Sequence, residues 1–570
     1  MRLKITSAIS LLSLLVSMIP SFATTQPAYS PRHIDYPGTQ VVYHVSEGSP
    51  RINSDLSIFV SGRVSSVDQQ KIIICRFIGD KHCENSGENR YGAFSLMPKC
   101  EGVNSENCLE SLSITDENDK FVEATFVREV GGYTIPADEK IKYVGGRRAS
   151  IWNAQTAVHS GNQSSYLVIP QLDSYYQPES GKFIQTSLSV AVVPFIQKYG
   201  AFESDRFVTD SELIQRENEA GISNSKYVQR VMQRGTREKQ CLFYDDGSCG
   251  IQYDFKKSAR IKVSLRISKE LGGWFKGRIQ DPKIQIDSIS TEMNRLTIEG
   301  MNSEIPRMVH LVPWGSSSEE DKNNFVKYFW GGGIPEDLLA GPIADEGQRV
   351  FEFINSFRAK VKDTSSGFTS AWNFSTVAAG QGSRCLSDTS KVLGVVTTNS
   401  MGYEGSAPGF ANGTLDYRVG GLHFAPDGKT EIKGTYDLIM RSEVARCLYG
   451  FTNAPISATI SITSDGGEAA VATTKISEED GWLKLGAYNF TFSNPTLRVK
   501  LSQVQPEQPK IEVPKVESQP TATQNPQLES AAAKPQTVVA KKKSITCVKG
   551  KITKKVSGVN PKCPTGYKKK

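Results

Sequence analysis

The chain has 570 residues, 38% of them hydrophobic, and a formal net charge of +7 at pH 7. That length allows several domains with cores of their own, and the hydrophobic share excludes a wholly disordered chain. The charge is unevenly spread: residues 503 to 570 contribute +10 and Arg2 with Lys4 add +2, which leaves −5 for the stretch between them. A mildly acidic body disfavours nucleic acid as its partner.

At the start, Arg2 and Lys4 precede an apolar run from Ile5 to Ile19, and Ser21-Phe22-Ala23 makes a small-x-small cleavage site. This is the pattern of a signal peptide over residues 1–23. The run falls short of the roughly 20 residues that cross a bilayer, and Pro20 ends it, so no transmembrane segment is expected after cleavage. Export fixes the redox compartment for the ten cysteines, whose even number predicts five disulfides. Cys75 and Cys83, Cys100 and Cys108, and Cys241 and Cys249 each stand eight apart, and local pairing is expected for them. The first four admit three connectivities. Cys385 and Cys447 are farther apart, and Cys547 and Cys563 lie in the tail. No C-x-x-C spacing supports a metal site.

Period-two alternation dominates the body. Ile261 to Ile267, Ile284 to Ile286, Leu296 to Ile298, Ile460 to Ile462 and Leu497 to Leu501 read as half-buried strands of antiparallel sheets. Residues 413–424, Pro426-Asp427-Gly428 and 430–439 read as strand, turn and strand. Helical spacing is confined to the middle: Val350, Phe353, Ile354, Phe357 and Val361 share one face, with further short helices expected within 209–235 and near 318–329. The expected fold is mainly β, multi-domain antiparallel β-sandwiches with a small helical segment. Its divisions are a β-rich domain over 35–200, a mixed α/β region over 201–365, a β-sandwich over 370–502, a disordered proline-rich linker over 503–540, and a basic cysteine-containing tail over 541–570, read as a short disulfide-held hairpin.

Gly273-Trp-Phe-Lys-Gly-Arg-Ile-Gln-Asp-Pro-Lys-Ile-Gln-Ile286, Arg446-Cys-Leu-Tyr-Gly-Phe-Thr-Asn-Ala-Pro-Ile-Ser-Ala-Thr-Ile460 and Asp480-Gly-Trp-Leu-Lys-Leu together resemble segments of an uncharacterised group of secreted actinobacterial proteins. The Cys-Val-Lys-Gly-Lys that begins at Cys547 and the Pro-Lys-Cys-Pro-Thr-Gly-Tyr-Lys-Lys-Lys that ends the chain resemble a tail found on otherwise different exported proteins of such bacteria. The resemblance implies an envelope-associated role and carries over no catalytic residue.

Chemistry has to be sought in the residues themselves. Six histidines, at 33, 44, 82, 159, 310 and 423, form no H-E-x-x-H or other ligand spacing, and neither a G-x-S-x-G elbow nor a phosphate-binding glycine loop occurs. His310 and His423, in strand-like contexts, read as structural. Asp116-Glu-Asn118-Asp119-Lys120 begins like a calcium loop but lacks the glycine at six and the glutamate at twelve. Asp245-Asp246-Gly247 reads as a hairpin turn. Tryptophans at 152, 274, 314, 330, 372 and 482 read as core, with a sugar-binding aromatic face, helped by Tyr175 and Tyr176, as the alternative. No catalytic group, metal site or cofactor is assigned.

The tail carries the clearest message. Lys541, Lys542, Lys543, Lys549, Lys551, Lys554, Lys555, Lys562, Lys568, Lys569 and Lys570 stand in thirty residues without one acid. Such a cation binds anionic envelope polymers with an affinity that falls as salt rises. The expectation is a secreted, cell-surface, non-enzymatic binding or adhesion protein with a glycan or protein ligand, retained by this tail. The alternatives are an extracellular hydrolase whose site is assembled from distant loops, and a structural envelope-layer protein.

Overall fold

The computed structural model describes residues 40–45, 58–63, 70–75, 90–199 apart from 104, 131–135 and 146–148, then 241–245, 248–313, 318–328, 339–340, 347–377, 383–463 apart from 389, 473–492, 495–503, 543–549, 552–558, 563 and 567–569. Helices expected within 209–235 and the linker lie outside these residues. The chain divides into two compact units, Met1–Gln505 and Pro506–Lys570.

The first unit is mainly β and its pairings are nearly all antiparallel; the exceptions include Gly273–Gly277 beside Val392–Thr397. Alternation in the sequence becomes alternation in burial. In Thr496–Gln503, Leu497, Val499 and Leu501 are buried between exposed Arg498, Lys500 and Ser502. Strand Arg260–Ser268 is hydrogen-bonded on both sides, to Cys108–Ile114 and to Met293–Met301, and buries Ile261, Val263, Leu265 and Ile267. Those four join Leu112, Ile114, Leu296 and Ile298 against Tyr166, Val168, Val190, Phe275 and Trp372 in one core.

A second core makes the sandwich expected near the C-terminal end of this unit. A five-stranded sheet, which includes Thr414–Gly420, Ile456–Thr463 and Thr496–Gln503, packs Leu415, Tyr417, Val419 and Val499 onto Tyr436, Leu438, Met440 and Leu485 of the larger sheet. Here the strand, turn and strand read at 413–439 take an unexpected course. The turn forms, with Gly428 at φ 67 and the Asp427 carboxylate accepting from the amides of Lys429 and Thr430. Beside the turn the chain pairs with itself, Phe424 bridging Glu431 and the Ile432 amide donating to the His423 carbonyl, but the strands beyond part: Thr414–Gly420 joins the five-stranded sheet and Lys433–Arg441 the larger one. The connection crosses between layers, because both strands bury an apolar face, and Tyr417 meets Tyr436 at 5.4 Å between ring centroids.

Three α-helices occur among the described residues. The helix Gln348–Arg358 buries Val350, Phe353, Ile354 and Phe357 as its spacing predicts, against Met308, Met401 and Leu422, with Val361 packed at the rim. Glu319–Tyr328 starts on Ser318, whose hydroxyl accepts from the Asp321 amide, and Lys360 pairs with Asp321. Ser442–Tyr449 ends on Gly450 in the left-handed region. No helix is long and apolar enough to cross a membrane among the described residues.

Disulfides join Cys100 to Cys108 and Cys385 to Cys447. Cys249 and Cys563 are also disulfide-bonded. In the second unit, strands Lys543–Lys549 and Ile552–Gly558 pair antiparallel across a two-residue connection, and Lys568–Lys569 adds a third strand beside Cys547 and Val548.

Candidate functional site

The segments 273–286, 446–460 and 480–485 do structural work. Trp274 and Phe275 are buried, and Trp274 donates to the Leu386 carbonyl at 3.1 Å. Gly277 faces strand Asn373–Val377 so closely that a Cβ would stand 2.3 Å from the Asn373 carbonyl oxygen. Arg278, fully buried, donates to the carbonyls of Thr398 and Ser400 and lies 4.2 Å above the Tyr403 ring. Arg446 holds the carbonyls of Thr452 and Ala454 and pairs with Glu478. Asp480 and Gly481, both at positive φ, form the two-residue turn that joins Thr473–Glu479 to Trp482–Thr491.

The other singled-out residues are similarly placed. Trp152, Trp274 and Trp372 are core; Trp482 is half-buried under Arg441, and Trp314 and Trp330 lie outside the described residues. Tyr175 is exposed, while Tyr176 stacks edge-on with Tyr91 and Phe183. Asp116 accepts from the amides of Asn118 and Lys120, so its acidic run is a turn, and Asp245 pairs with Ser248, while Asp246 and Gly247 lie outside the described residues. Among the described residues no group of three or more His, Cys, Asp or Glu is placed to hold a metal ion.

His159 is fully committed. The Gly161 amide donates to Nδ1, so Nε2 carries the hydrogen and donates to the Phe195 carbonyl at 3.1 Å. Burial lowers its pKa to about 4 and keeps it neutral. His423 is built differently. Its Nδ1 contacts the Asp363 carboxylate, which also accepts from the His423 amide and from Arg358. This is the orienting half of an acid–base pair, on a turn where Lys362 and Asp363 both sit at positive φ.

Two further clusters of titratable groups form only on folding. Asp437, on strand Lys433–Arg441, accepts from the Tyr488 hydroxyl and from the Asp281 amide. The phenol reaches it over Gly486, where a Cβ would meet the oxygen at 2.5 Å, and the amide is aimed by a bulge at Asp281. Burial raises the Asp437 carboxyl to about 7. Both its oxygens are occupied, which makes it a tie between strands.

The second cluster is less complete. Asp254 follows strand Ser248–Gln252, while Asn302, Glu304 and Arg307 lie on Met293–Pro313. Asn302 and Glu304, two apart, share a strand face, and the register sets Glu304 opposite Ser370. The Asn302 amide donates to Glu304 Oε1 at 3.2 Å and to Ser370 Oγ at 2.9 Å. Asn302 Oδ1 and Asp254 Oδ1, both buried, have no hydrogen-bond partner. Unmet acceptors of this kind cost about 1–3 kcal/mol each. Burial, then the charge of Glu304, raises Asp254 to about 6. Glu304 is raised as well, chiefly by desolvation, although its side chain is exposed. Arg307 lies close enough to Asp254 to oppose its charge, Lys257 does the same for Glu304, and the Arg307 guanidinium covers Gly367, where a Cβ would stand 2.6 Å from Nη2.

Sequence reasoning missed this group. Its local signal is a polar pair two apart in a strand of mixed polar and apolar residues, and its partners Asp254 and Ser370 come from far before and far after it in the chain. No protein-family model matches the chain, and no curated protein matches it.

Proposed function

We propose that this is an exported protein held at the cell envelope by its basic C-terminal unit, and that the body binds a glycan or protein ligand there. The carrying observation is the construction of residues 543–569. Two paired strands and a third set Lys554 and Lys569 on either side of Cys547, and Lys568 and Lys569 are exposed. A folded lysine module that is a compact unit of its own suits attachment to phosphate- or carboxylate-bearing polymers better than it suits solubility alone.

Deleting residues 541–570 is expected to move the protein from the cell fraction into the medium, and wild type is expected to follow it as salt is raised. Retention of the truncated chain on cells, measured by immunoblot of both fractions, removes the tail as anchor.

A second reading, an extracellular hydrolase, is favoured by the Asp363–His423 pair, whose geometry suits a general base. Equal rates of p-nitrophenyl acetate hydrolysis by wild type and His423→Ala count against it.

A further inference from the structure

Strand Thr473–Glu479 forms a rim of the larger sheet: it pairs with Trp482–Thr491 on one side, and no strand lies on its other side among the described residues. All seven of its residues are exposed, Ile476 among them. The tight turn at Asp480-Gly481 makes Glu479 and Trp482 a hydrogen-bonded pair, so Lys475, Ser477 and Glu479 direct their amides and carbonyls to the neighbouring strand. Thr474, Ile476 and Glu478 therefore turn theirs outward. The same alternation sets the faces. Thr474, Ile476 and Glu478 lie opposite the buried Ala487, Leu485 and Leu483, and Glu478 is held by Arg446. Lys475, Ser477 and Glu479 share the outer face, where the Lys475 ammonium lies 5.4 Å from the centre of the Tyr488 ring.

We propose that this rim pairs antiparallel with the same strand of a second copy of the chain, about a two-fold axis at Ser477, so that Lys475 of each copy meets Glu479 of the other. The register follows from two requirements. Outward groups must face outward groups, which restricts the choice to alignments that pair Thr474, Ile476 and Glu478 among themselves. Like charges must not stand directly opposite each other. An axis at Lys475 sets two lysines together, an axis at Glu478 sets two glutamates together, and an axis at Ile476 makes no ion pair. With the axis at Ser477, Ile476 of each copy exchanges hydrogen bonds with Glu478 of the other. Lys475 and Glu479 then fall in the non-hydrogen-bonded pairs, where side chains come closest.

A lone lysine on a sheet rim blocks such pairing by stranding its charge. Here Glu479 supplies the opposite charge, and among the described residues neither side chain forms an ion pair within its own chain. The two charges complement each other under a two-fold axis, a match that an unrelated peptide does not require, so a second copy is the occupant. Such a contact is isologous and closes on a dimer, joining two sheets edge to edge. It goes beyond the reading of the tail as an anchor and does not depend on it.

In sedimentation velocity the full chain is expected to show a monomer–dimer equilibrium with a dissociation constant of about 10–100 µM, as suits so small a contact. Lys475→Glu and Glu479→Lys are each expected to weaken it about tenfold or more, because each turns two attractions into two repulsions, and the double variant to restore it to within about threefold. Ile476→Pro removes an outward amide hydrogen that the hairpin does not use, and is expected to abolish the dimer. An unchanged circular dichroism melt shows each variant folded. A wild type that stays monomeric at about 200 µM overturns the proposal. So does a dimer that survives both single charge substitutions, since it forms elsewhere on the chain, and so does a double variant no better than the single ones, since the register is then wrong. If Ile476→Pro melts early, the exchange of charges alone decides.

Discussion

Two groups of acids and arginines that share the strand Met293–Pro313 have opposite electrostatics. Glu110 lies beneath Arg266 and Arg295, accepts from both, and is held at a pKa of about 2, chiefly by the Arg295 hydrogen bond. Asp254 and Glu304, with Arg307 close by, are both pushed up, chiefly by burial. The difference is geometric: guanidinium hydrogens reach the carboxylate in the first group, whereas in the second the hydrogen bonds to Glu304 come from the neutral side chains of Ser370 and Asn302. Where direct charge pairing is made, the ion wins; where it is replaced by neutral donors, desolvation wins.

The largest expected effect tests the paired side. Glu110→Gln leaves Arg266, which also holds the carbonyls of Gly102 and Val103 in the loop closed by Cys100–Cys108, without its carboxylate. A loss of about 2 kcal/mol in urea unfolding at pH 7 is expected. Because the folded pKa of Glu110 lies below the unfolded value, its contribution is present above about pH 4.5 and is lost as pH falls towards 2. The variant should therefore show a shallower acid limb than wild type. An unchanged limb would mean that the pairing does not set the acid stability.

On the buried side the sign reverses. Asp254 has a folded pKa above its unfolded one, so its stabilising contribution is present below about pH 4 and is lost as pH rises through about 6. Asp254→Asn should gain about 1–2 kcal/mol at pH 7.5 and nothing at pH 4. His159, close by through Tyr253, acts oppositely in the same window: its folded pKa of about 4 lies below the unfolded value, so its contribution is lost as pH falls from 6.5 to 4. Removing Asp254 should leave that slope unopposed and steepen the loss of stability between pH 6 and 4. A flat profile in the variant would mean that His159 is not the compensating group.

Legibility in the sequence follows the same division between local and long-range causes. The alternation in Ile261 to Ile267 predicts its strand because one face is buried, and the helical face at Val350 to Phe357 is legible for the same reason. Cys100 and Cys108 were readable as a pair because closing a short loop is local. The course of 413–439 was not, since the turn chemistry at Asp427-Gly428 is the same whether the flanking strands pair or part. Nor was the Glu304 cluster, because its register against Ser370 depends on how a strand 21 residues long is cut between several partners. The tail's lysines were legible as composition, while their alignment with Cys547 depends on pairing.

The smallest effect belongs to a pair with the chemistry of Glu110 but with water on it. Asp416 and Arg498 face each other across neighbouring strands and form a bidentate contact, with the guanidinium half-exposed. Solvent weakens the attraction and lets either side chain find water as a partner, so Arg498→Met should cost about 0.5 kcal/mol and less at 1 M salt. Measured beside Glu110→Gln, it separates geometry from burial. If the exposed bidentate pair proves as costly to break as the Glu110 cluster, hydrogen-bond geometry alone sets the strength of these pairs. A cost several times smaller means that the shielding of Glu110 beneath two arginines is what turns an ordinary surface contact into a stabilising one.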